Sequence, residues 1–581
     1  MNAILTATLL LATQLSLPPT IDLKDIKKGQ QGECQTVFEG HAIEPFPFIV
    51  KAVMENYLGP GRHLILIRLN DARTEHTGVV SGMSGSPCSI NGRLAGALSY
   101  AFASFAKEPI AGVTPIADME AVWDLKKTNV PWKRQHQASQ EEWQALRDGT
   151  VIAKAPSENQ STPISTPLNL SGFTPETLSH FSPWLESQGF VPLAGGSTGK
   201  SMAESPLAPG SAIAAVLVHG DVNIAATGTV TAVDNTRVLA FGHPFLGVGP
   251  LSIPMAQAEI VNTMVSAKRS FKMSITGPSI GELSQDRLPA IAGRIGAVPA
   301  MIPVKGRIKT AEGLQTFSFE VARDTQLTPR FLAMGLAAAI SGRINQTQRG
   351  LLRLSATLTS KNFSPLHINK IYSTQRHPKF TLASAIDVAQ YASVLWSTPF
   401  GPPPDLSVNV ELSIENEPYE EWIESAHVST QFPRPGQKLD VIVKLRQVDG
   451  PFSEETLSIT VPKHWAGKRV VLSISNAQQA EQVERLVSGA LVPETLSDIR
   501  RWLEKRRHEG RIYLLAVRQG IGLQIGVDNH PFLPPSIVTT LANQSNRHLR
   551  TKGIELERHK KRPGIVLGSA VIPIDVQPTK P

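Results

Sequence analysis

Residues 82–87 read Gly-Met-Ser-Gly-Ser-Pro, and residues 88–100 continue as Cys-Ser-Ile-Asn-Gly-Arg-Leu-Ala-Gly-Ala-Leu-Ser-Tyr. Two glycines flank a serine, and a proline ends the loop. Two apolar runs follow, separated by Asn91 and Gly92. Asn-Gly is the strongest short signal for a β-hairpin, because both central residues of a type I′ turn need a positive φ. The stretch therefore predicts a tight glycine loop that carries Ser84 and leads into a β-hairpin.

This loop has the composition of a site for nucleophilic catalysis. Glycines let backbone N–H groups approach a carbonyl closely, and donors aimed at a developing oxyanion stabilise the transition state of acyl transfer. Ser84 is the candidate nucleophile, and the backbone N–H groups of Gly82 and Ser84 are the candidate oxyanion donors. An ordinary Gly/Ser turn before a hairpin is the structural alternative.

A serine hydroxyl needs a base that takes its proton. Residues 239–245 read Leu-Ala-Phe-Gly-His-Pro-Phe, so a glycine and a proline hold His243 at the end of a predicted strand. His76 and His219 are competing bases, but one lies in a polar stretch and the other beside a turn signal. We therefore predict that His243 is the base, although it follows Ser84 by 159 residues.

Several segments together resemble the SpoIVB-type serine peptidases, the sporulation stage IV B family, which are similar in outline to trypsin-like enzymes. The segments that carry the resemblance are residues 32–40, 59–69, 82–100, 107–118 and 239–245. The similarity extends over residues 25–130 and 205–310. It implies a serine endopeptidase with Ser84 as nucleophile, His243 as base, and Asp71, 13 residues before the serine, as the acid.

The order of the two segments differs from that of the family. In the SpoIVB-type pattern the histidine segment precedes the serine segment, whereas here it follows, which looks like a permutation of the two halves. Asp234 and Asp286 lie in the histidine half and are alternative acids. An exposed turn carboxylate is the alternative interpretation of Asp71.

Composition excludes several classes of function. The chain has 581 residues, a net charge of +8 and a pI of about 9.3. No run of Lys and Arg is interleaved with aromatic residues, so nucleic-acid binding is not expected. The histidines lack the spacing of metal ligands beside a carboxylate. We therefore expect no metal and no cofactor.

The N-terminus and the cysteines bear on location. Residues 1–17 are largely apolar, and we predict that residues 1–20 form a signal peptide. The protein would then be periplasmic or extracellular. Cys34 and Cys88 are candidates for one disulfide in an exported chain, and two buried free thiols are the alternative.

The strand-like runs and the turns predict a mainly β protein with some α structure. We expect trypsin-like β-barrel halves in permuted order, followed by β-sandwich-like and α/β modules. The predicted segments are a serine half (25–130), a linker and helical insert (131–204), a histidine half (205–325), a helical or mixed segment (326–400), a β-sandwich-like module (401–470) and a C-terminal α/β module (471–581). Helices are predicted over residues 174–189, 331–340, 382–395 and 495–505.

Two functions are consistent with these features. The first is an exported serine endopeptidase that cleaves one protein substrate by acyl-enzyme chemistry, with the C-terminal modules binding or positioning a protein partner. The second is a non-catalytic, peptidase-like binding or assembly protein of the cell envelope. Reaction of Ser84 with a fluorophosphonate distinguishes the two.

Overall fold

The computed structural model describes most of the chain. The described ranges are residues 17–102, 108–125, 139–151, 162–196, 206–324, 327–344, 350–377, 379–415, 419–448, 450–487, 493–525, 528–530, 532–542 and 547–579. The predicted signal peptide lies outside these ranges except for residues 17–20. None of the helices within them is both long enough and apolar enough to cross a bilayer.

The protein is mainly β with some α structure, which confirms the predicted fold class. The strands are β1 (Gln31–Val37), β2 (Ile43–Gly59), β3 (Arg62–Leu69), β4 (Pro87–Ile90), β5 (Arg93–Ala101), β6 (Ile110–Pro115), β7 (Thr162–Pro163), β8 (Thr166–Ser171), β9 (Phe190–Ala194), β10 (Ala212–Gly220), β11 (Asn223–Asp234), β12 (Arg237–Ala240), β13 (Gly249–Met264), β14 (Phe271–Arg287), β15 (Ala290–Ile295), β16 (Ile302–Thr310), β17 (Gly313–Val321), β18 (Leu351–Ser360), β19 (Phe363–Ser373), β20 (Ser407–Glu415), β21 (Glu420–Val428), β22 (Lys438–Gln447), β23 (Phe452–Thr460), β24 (Arg469–Ser475), β25 (Arg511–Ile525), β26 (Asp528–His530), β27 (Arg547–Lys561), β28 (Ile565–Leu567) and β29 (Ser569–Asp575).

The helices include the four that the sequence predicts, now with their observed bounds. They are α1 (Ala72–Thr77), α2 (Ile116–Glu120), α3 (Gln140–Asp148), α4 (Pro175–Ser187), α5 (Thr328–Ser341), α6 (Phe380–Trp396), α7 (Ala477–Val487), α8 (Leu496–Glu504) and α9 (Pro535–Ala542). Several begin at a residue whose side chain accepts a bond from the first turn, as Thr174 does for α4. Such caps satisfy N–H groups that have no partner within the helix.

The chain divides into two compact units. The first comprises the described residues up to 302 together with residues 319–324 and 327–342, and the second comprises most of the remainder. The candidate site lies in the first unit.

Two β-barrel-like sheets form the first unit. In one, strands run in the order β4-β1-β2-β3-β6-β5, and β4 also pairs with β5, so six strands close into a ring. In the other, the order is β10-β13-β14-β15-β12-β11, and β10 pairs with β11, which closes a second ring. Strand β7 extends the first sheet beyond β5, and β8 and β9 extend the second beyond β11. Closure leaves few unpaired strand edges.

The first ring has its own apolar core. Phe46, Phe48, Ile65 and Ile67 are buried in it together with Ile164. Burial of each such side chain contributes about 1.5–3 kcal/mol. Along β2, Phe46 and Phe48 alternate with exposed residues, which follows from the two-residue period of a strand.

The hairpin predicted after the serine loop is present. Strands β4 and β5 pair in antiparallel register on either side of Asn91 and Gly92. Both turn residues have positive φ, 50° and 73°. The Asn-Gly pair therefore forms the type of turn that its sequence predicts.

The second unit contains two sheets with a shared core. One has the strand order β23-β22-β21-β28, and the other has the order β26-β25-β24-β29 with β27 paired to β25. Leu439 of the first sheet and Leu472 and Ile512 of the second belong to one buried apolar cluster. Strands β19, β18, β20 and β16 form a further run of neighbours.

Candidate active site

The Ser84 loop is shaped by two glycines with positive φ, Gly82 at 99° and Gly85 at 95°. At Gly85 a side chain has no room, because a Cβ would lie 2.0 Å from the carbonyl oxygen of Thr229 and 2.5 Å from the backbone nitrogen of Phe241. Glycine is therefore required at position 85 for two reasons, its dihedral angle and the close approach of two other segments.

Strand β11 holds the carbonyl groups of this loop. The Thr229 hydroxyl donates to the Gly82 carbonyl oxygen at 2.9 Å, and the Thr229 N–H donates to that of Ser84 at 2.8 Å. The Thr231 hydroxyl donates to the Gly85 carbonyl oxygen at 2.7 Å. With three carbonyl groups bound to one strand, the orientation of the peptide groups in the loop is fixed.

The backbone N–H groups of the loop fall into two sets. Those of Met83, Gly85 and Ser86 donate to carbonyl groups within the first unit. Those of Gly82 and Ser84 make no hydrogen bond to any described residue. These are the two N–H groups that the sequence predicts as oxyanion donors, and the described residues leave both without a partner.

His243 follows β12 after an unusual stretch of backbone. Phe241 and Gly242 both have positive φ, 67° and 70°. A non-glycine residue in this region is held there by its surroundings, and such residues are concentrated at functional sites. The Gly242 carbonyl oxygen accepts a bond of 2.7 Å from the Thr114 hydroxyl. These contacts fix the direction in which the chain enters His243.

The serine and histidine segments lie against each other. A Cβ on Gly85 would meet the backbone of Phe241, and a Cβ on Gly242 would lie 3.0 Å from Cβ of Ala97 and 3.1 Å from Cβ of Ser99, both on β5. Ser84 is fully buried and His243 is 2% exposed. The fold therefore brings together the backbone segments that carry Ser84 and His243, which are 159 positions apart in the sequence, although Ser84 Oγ and His243 Nε2 do not hydrogen-bond to each other.

The imidazole of His243 is held in one tautomer. Its Nδ1 lies 2.7 Å from the carbonyl oxygen of Pro244, and because a carbonyl only accepts, Nδ1 carries the proton. Nε2 then has a free lone pair, and it is buried without a hydrogen-bond partner among the described residues. Burial lowers the pKa of His243 to about 4, although the carbonyls of Pro244 and Ile164 oppose this effect. The ring is thus neutral at pH 7.

Ser84 Oγ is likewise buried without a hydrogen-bond partner among the described residues. Buried hydroxyl groups are almost always hydrogen-bonded. An unpartnered hydroxyl and an unpartnered basic nitrogen on adjoining segments have the complementary chemistry of a nucleophile and its base.

The structure does not bring Asp71 to His243. The Asp71 carboxylate caps helix α1, where it accepts bonds from the backbone N–H of Thr74, at 2.8 Å, and from the Thr74 hydroxyl. Of the alternative acids, Asp234 pairs with Arg237 beside a hairpin turn. No carboxylate in the described part of the chain contacts the imidazole.

Asp286 supports the histidine segment in another way. Its buried carboxylate accepts bonds from the N–H groups of Phe245 and Leu246, each at 2.8 Å, and of Val248 at 3.3 Å. Burial raises the pKa of Asp286, while the four backbone donors around it act in the opposite direction. Asp286 therefore orders the loop that follows His243.

The competing bases lie elsewhere. His76 is exposed in the last turn of α1. His219 is exposed, and its Nδ1 lies 3.1 Å from Oδ1 of Asn223. Neither shares the burial of the Ser84 loop.

A buried lysine beside the site is absent from the sequence predictions. Lys272 is fully buried, and its Nζ lies 2.6 Å from Oγ1 of Thr36. Its Cδ would be 3.2 Å from a Cβ on Gly82, so its stem lies against the serine loop. No carboxylate among the described residues pairs with it, and burial lowers its pKa to about 7. A lone lysine in an alternating strand carries no sequence signal for burial.

Cys34 and Cys88 are bonded as a disulfide. Cys34 on β1 lies directly opposite Cys88 on β4, and Cys88 immediately follows the 82–87 loop. The described residues contain no group of three or more His, Cys, Asp or Glu side chains placed to hold a metal ion.

Residues 14–114 match the family model described as SpoIVB peptidase S55. The resemblance inferred from the motifs is thereby confirmed over this stretch, which contains Ser84 and Asp71. This part of the chain is similar to a family of serine peptidases, and the match ends before His243. The chain has no significant match among curated proteins or solved structures.

Proposed function

We propose that the chain is an exported serine endopeptidase in which Ser84 attacks a peptide carbonyl of a protein substrate and His243 is the base. The observation that carries the proposal is the pair of buried, unpartnered atoms, Ser84 Oγ and His243 Nε2, on two adjoining segments. Leaving both unsatisfied costs free energy. A packing role does not explain that cost, whereas a reaction between the two groups and a substrate does.

The reaction proceeds in two half-steps. Ser84 Oγ bonds to the carbonyl carbon while its proton moves to Nε2, and the N–H groups of Gly82 and Ser84 donate to the oxyanion. The C–N bond then breaks, and Nε2 gives the proton to the leaving amine. Water attacks the acyl-enzyme in the same way, which releases the acid and restores the Ser84 hydroxyl.

The carbonyl of Pro244 takes the orienting role that a carboxylate has in a triad. It fixes the tautomer with Nε2 free, which is the form that accepts a proton. A neutral carbonyl stabilises the resulting imidazolium less than a carboxylate would. We therefore expect slow turnover, as suits cleavage of a few specific bonds.

Export is supported by the cysteine pair and the apolar N-terminal stretch. Structural disulfides persist in oxidising compartments, and the one here joins two strands of the ring that carries Ser84. The periplasm or the extracellular space is therefore the proposed location.

A fluorophosphonate probe tests the reaction, because it bonds covalently to an activated serine. We expect the full-length protein to be labelled on Ser84, and both Ser84→Ala and His243→Ala to abolish the label. His76→Ala and His219→Ala are matched controls that should retain it. If neither the folded wild-type protein nor the Ile164→Ala variant is labelled, the non-catalytic binding protein is favoured.

A further inference from the structure

The candidate site is closed to solvent in this structure. Ser84 has no exposed surface and His243 has almost none. A protein substrate therefore cannot reach Ser84 Oγ unless some part of the first unit moves.

Residues 162–167, which we call the covering segment, lie along the edge of β5. Thr162 is opposite Ala101 and Pro163 is opposite Tyr100 in antiparallel register. The Ile164 N–H donates to the Ser99 carbonyl oxygen at 2.9 Å. The segment thus adds a short strand to the edge of β5, just after the hairpin that leads from the serine loop.

The same segment contacts both the histidine and the serine parts of the candidate site. The Ile164 carbonyl is close enough to His243 to raise the pKa of its imidazole. Three residues later, Pro167 Cγ would lie 3.2 Å from a Cβ on Gly82. The covering segment therefore contacts both the candidate base and the loop that carries a candidate oxyanion donor.

We propose that the covering segment occupies the edge of β5 at residues 99–101 as an internal competitor of the substrate, so that a substrate reaches Ser84 only when residues 162–164 leave that edge. Extended peptides commonly bind by adding a strand to a free sheet edge, where backbone hydrogen bonds give affinity and side-chain pockets give selectivity. Ile164 is 3% exposed and packs into the core of the first ring. A substrate would accordingly place a compact apolar side chain there, a statement that rests on the proposed function.

The pairing is short enough to open. Strand β7 has only two residues, and Pro163 has no N–H to donate. Its side chain is exposed, so it contributes little burial. Thr162 and Pro163 are not fully buried, so this end of the segment opens at a lower cost than the core strands around it, whereas Ile164, Thr166 and Pro167 are buried and anchor the rest. Displacement of Thr162, Pro163 and Ile164 would free the edge of β5 at residues 99–101.

Access to Ser84 can be measured without relying on catalysis. Both native cysteines are in the disulfide, so a Ser84→Cys variant has one free thiol, and its alkylation rate by N-ethylmaleimide reports access. Added to this variant, Ile164→Ala should raise the rate at least about tenfold, because it weakens the covering segment. Ile67→Ala, which truncates the same side chain in the same core, should change it by less than about threefold.

A second pair avoids any loss of core packing. Pro163→Gly makes the backbone of the covering segment more flexible, and Pro45→Gly does the same at another exposed proline, on β2. We expect faster alkylation only for Pro163→Gly. Equal rates for Ile164→Ala and Ile67→Ala, together with no effect of Pro163→Gly, would overturn the proposal. In another outcome, Ile164→Ala increases alkylation of the thiol in the Ser84→Cys variant while the protein with its native serine remains unlabelled by fluorophosphonate. That combination would support the role of the covering segment and contradict the peptidase assignment.

Discussion

Replacing Lys272 with methionine should remove a large pH dependence of stability in the first unit. The buried amine has one neutral partner, the Thr36 hydroxyl at 2.6 Å, and no carboxylate within the described residues. Burial disfavours its charged form and lowers the pKa from 10.5 to about 7. Methionine keeps the unbranched stem beside Gly82 and removes the amine.

The size of the effect follows from the two pKa values. Between pH 7 and 10.5 the unfolded chain binds a proton at this position that the folded chain lacks, so stability rises with pH. The wild-type protein should gain about 3 kcal/mol between about pH 7 and about pH 9.5, at about 1.4 kcal/mol per pH unit. The measurement stops there because burial raises the pKa of Tyr100 to about 12, which adds an opposite dependence at higher pH.

Pulse proteolysis in urea, with fragments of the first unit identified by mass spectrometry, measures the unfolding of this unit separately. Lys272→Met should flatten the pH dependence and leave stability at pH 7 equal or higher, because a buried unpaired charge has been removed. Lys268→Met, at an exposed position four residues earlier, is the control and should follow the wild type. If Lys272→Met retains the wild-type slope, the amine does not titrate near neutrality and burial does not lower its pKa.

Three further outcomes follow from the site. Gly85→Ala should destabilise the first unit by at least about 3 kcal/mol in urea unfolding. Gly92 has open space around it, so Gly92→Ala should cost about 1 kcal/mol. Similar costs for the two variants would contradict the close approach at Gly85. Asp286→Asn should slow fluorophosphonate labelling about tenfold by loosening the loop after His243, and Asp71→Asn should leave the rate unchanged; the reverse result would restore Asp71 as the acid. Because burial lowers the pKa of His243 to about 4, the stability of the wild-type protein should fall by up to about 3 kcal/mol as the pH drops from 6.5 towards 4. The His243→Gln variant should lose that dependence. An unchanged acid profile in His243→Gln would show that another group titrates.

The sequence by itself determined the local geometry of the site. Asn91 and Gly92 specify the hairpin turn, because the preference for positive φ belongs to those two residues. The glycines of the 82–87 loop likewise specify where backbone N–H groups stay free. The predicted helices and the mainly β class follow from residue periodicity.

The tertiary structure decided which groups surround the reacting atoms. Thr229 and Thr231 hold the serine loop from β11, the Pro244 carbonyl rather than Asp71 faces the imidazole, and Lys272 lies against Gly82. The covering segment joins the edge of β5 in the same manner. Apart from the local contact between His243 and Pro244, these contacts connect residues far apart in the chain, and only the tertiary arrangement of the strands sets them. Local preferences fix dihedral angles, whereas burial and partner choice depend on which strands become neighbours.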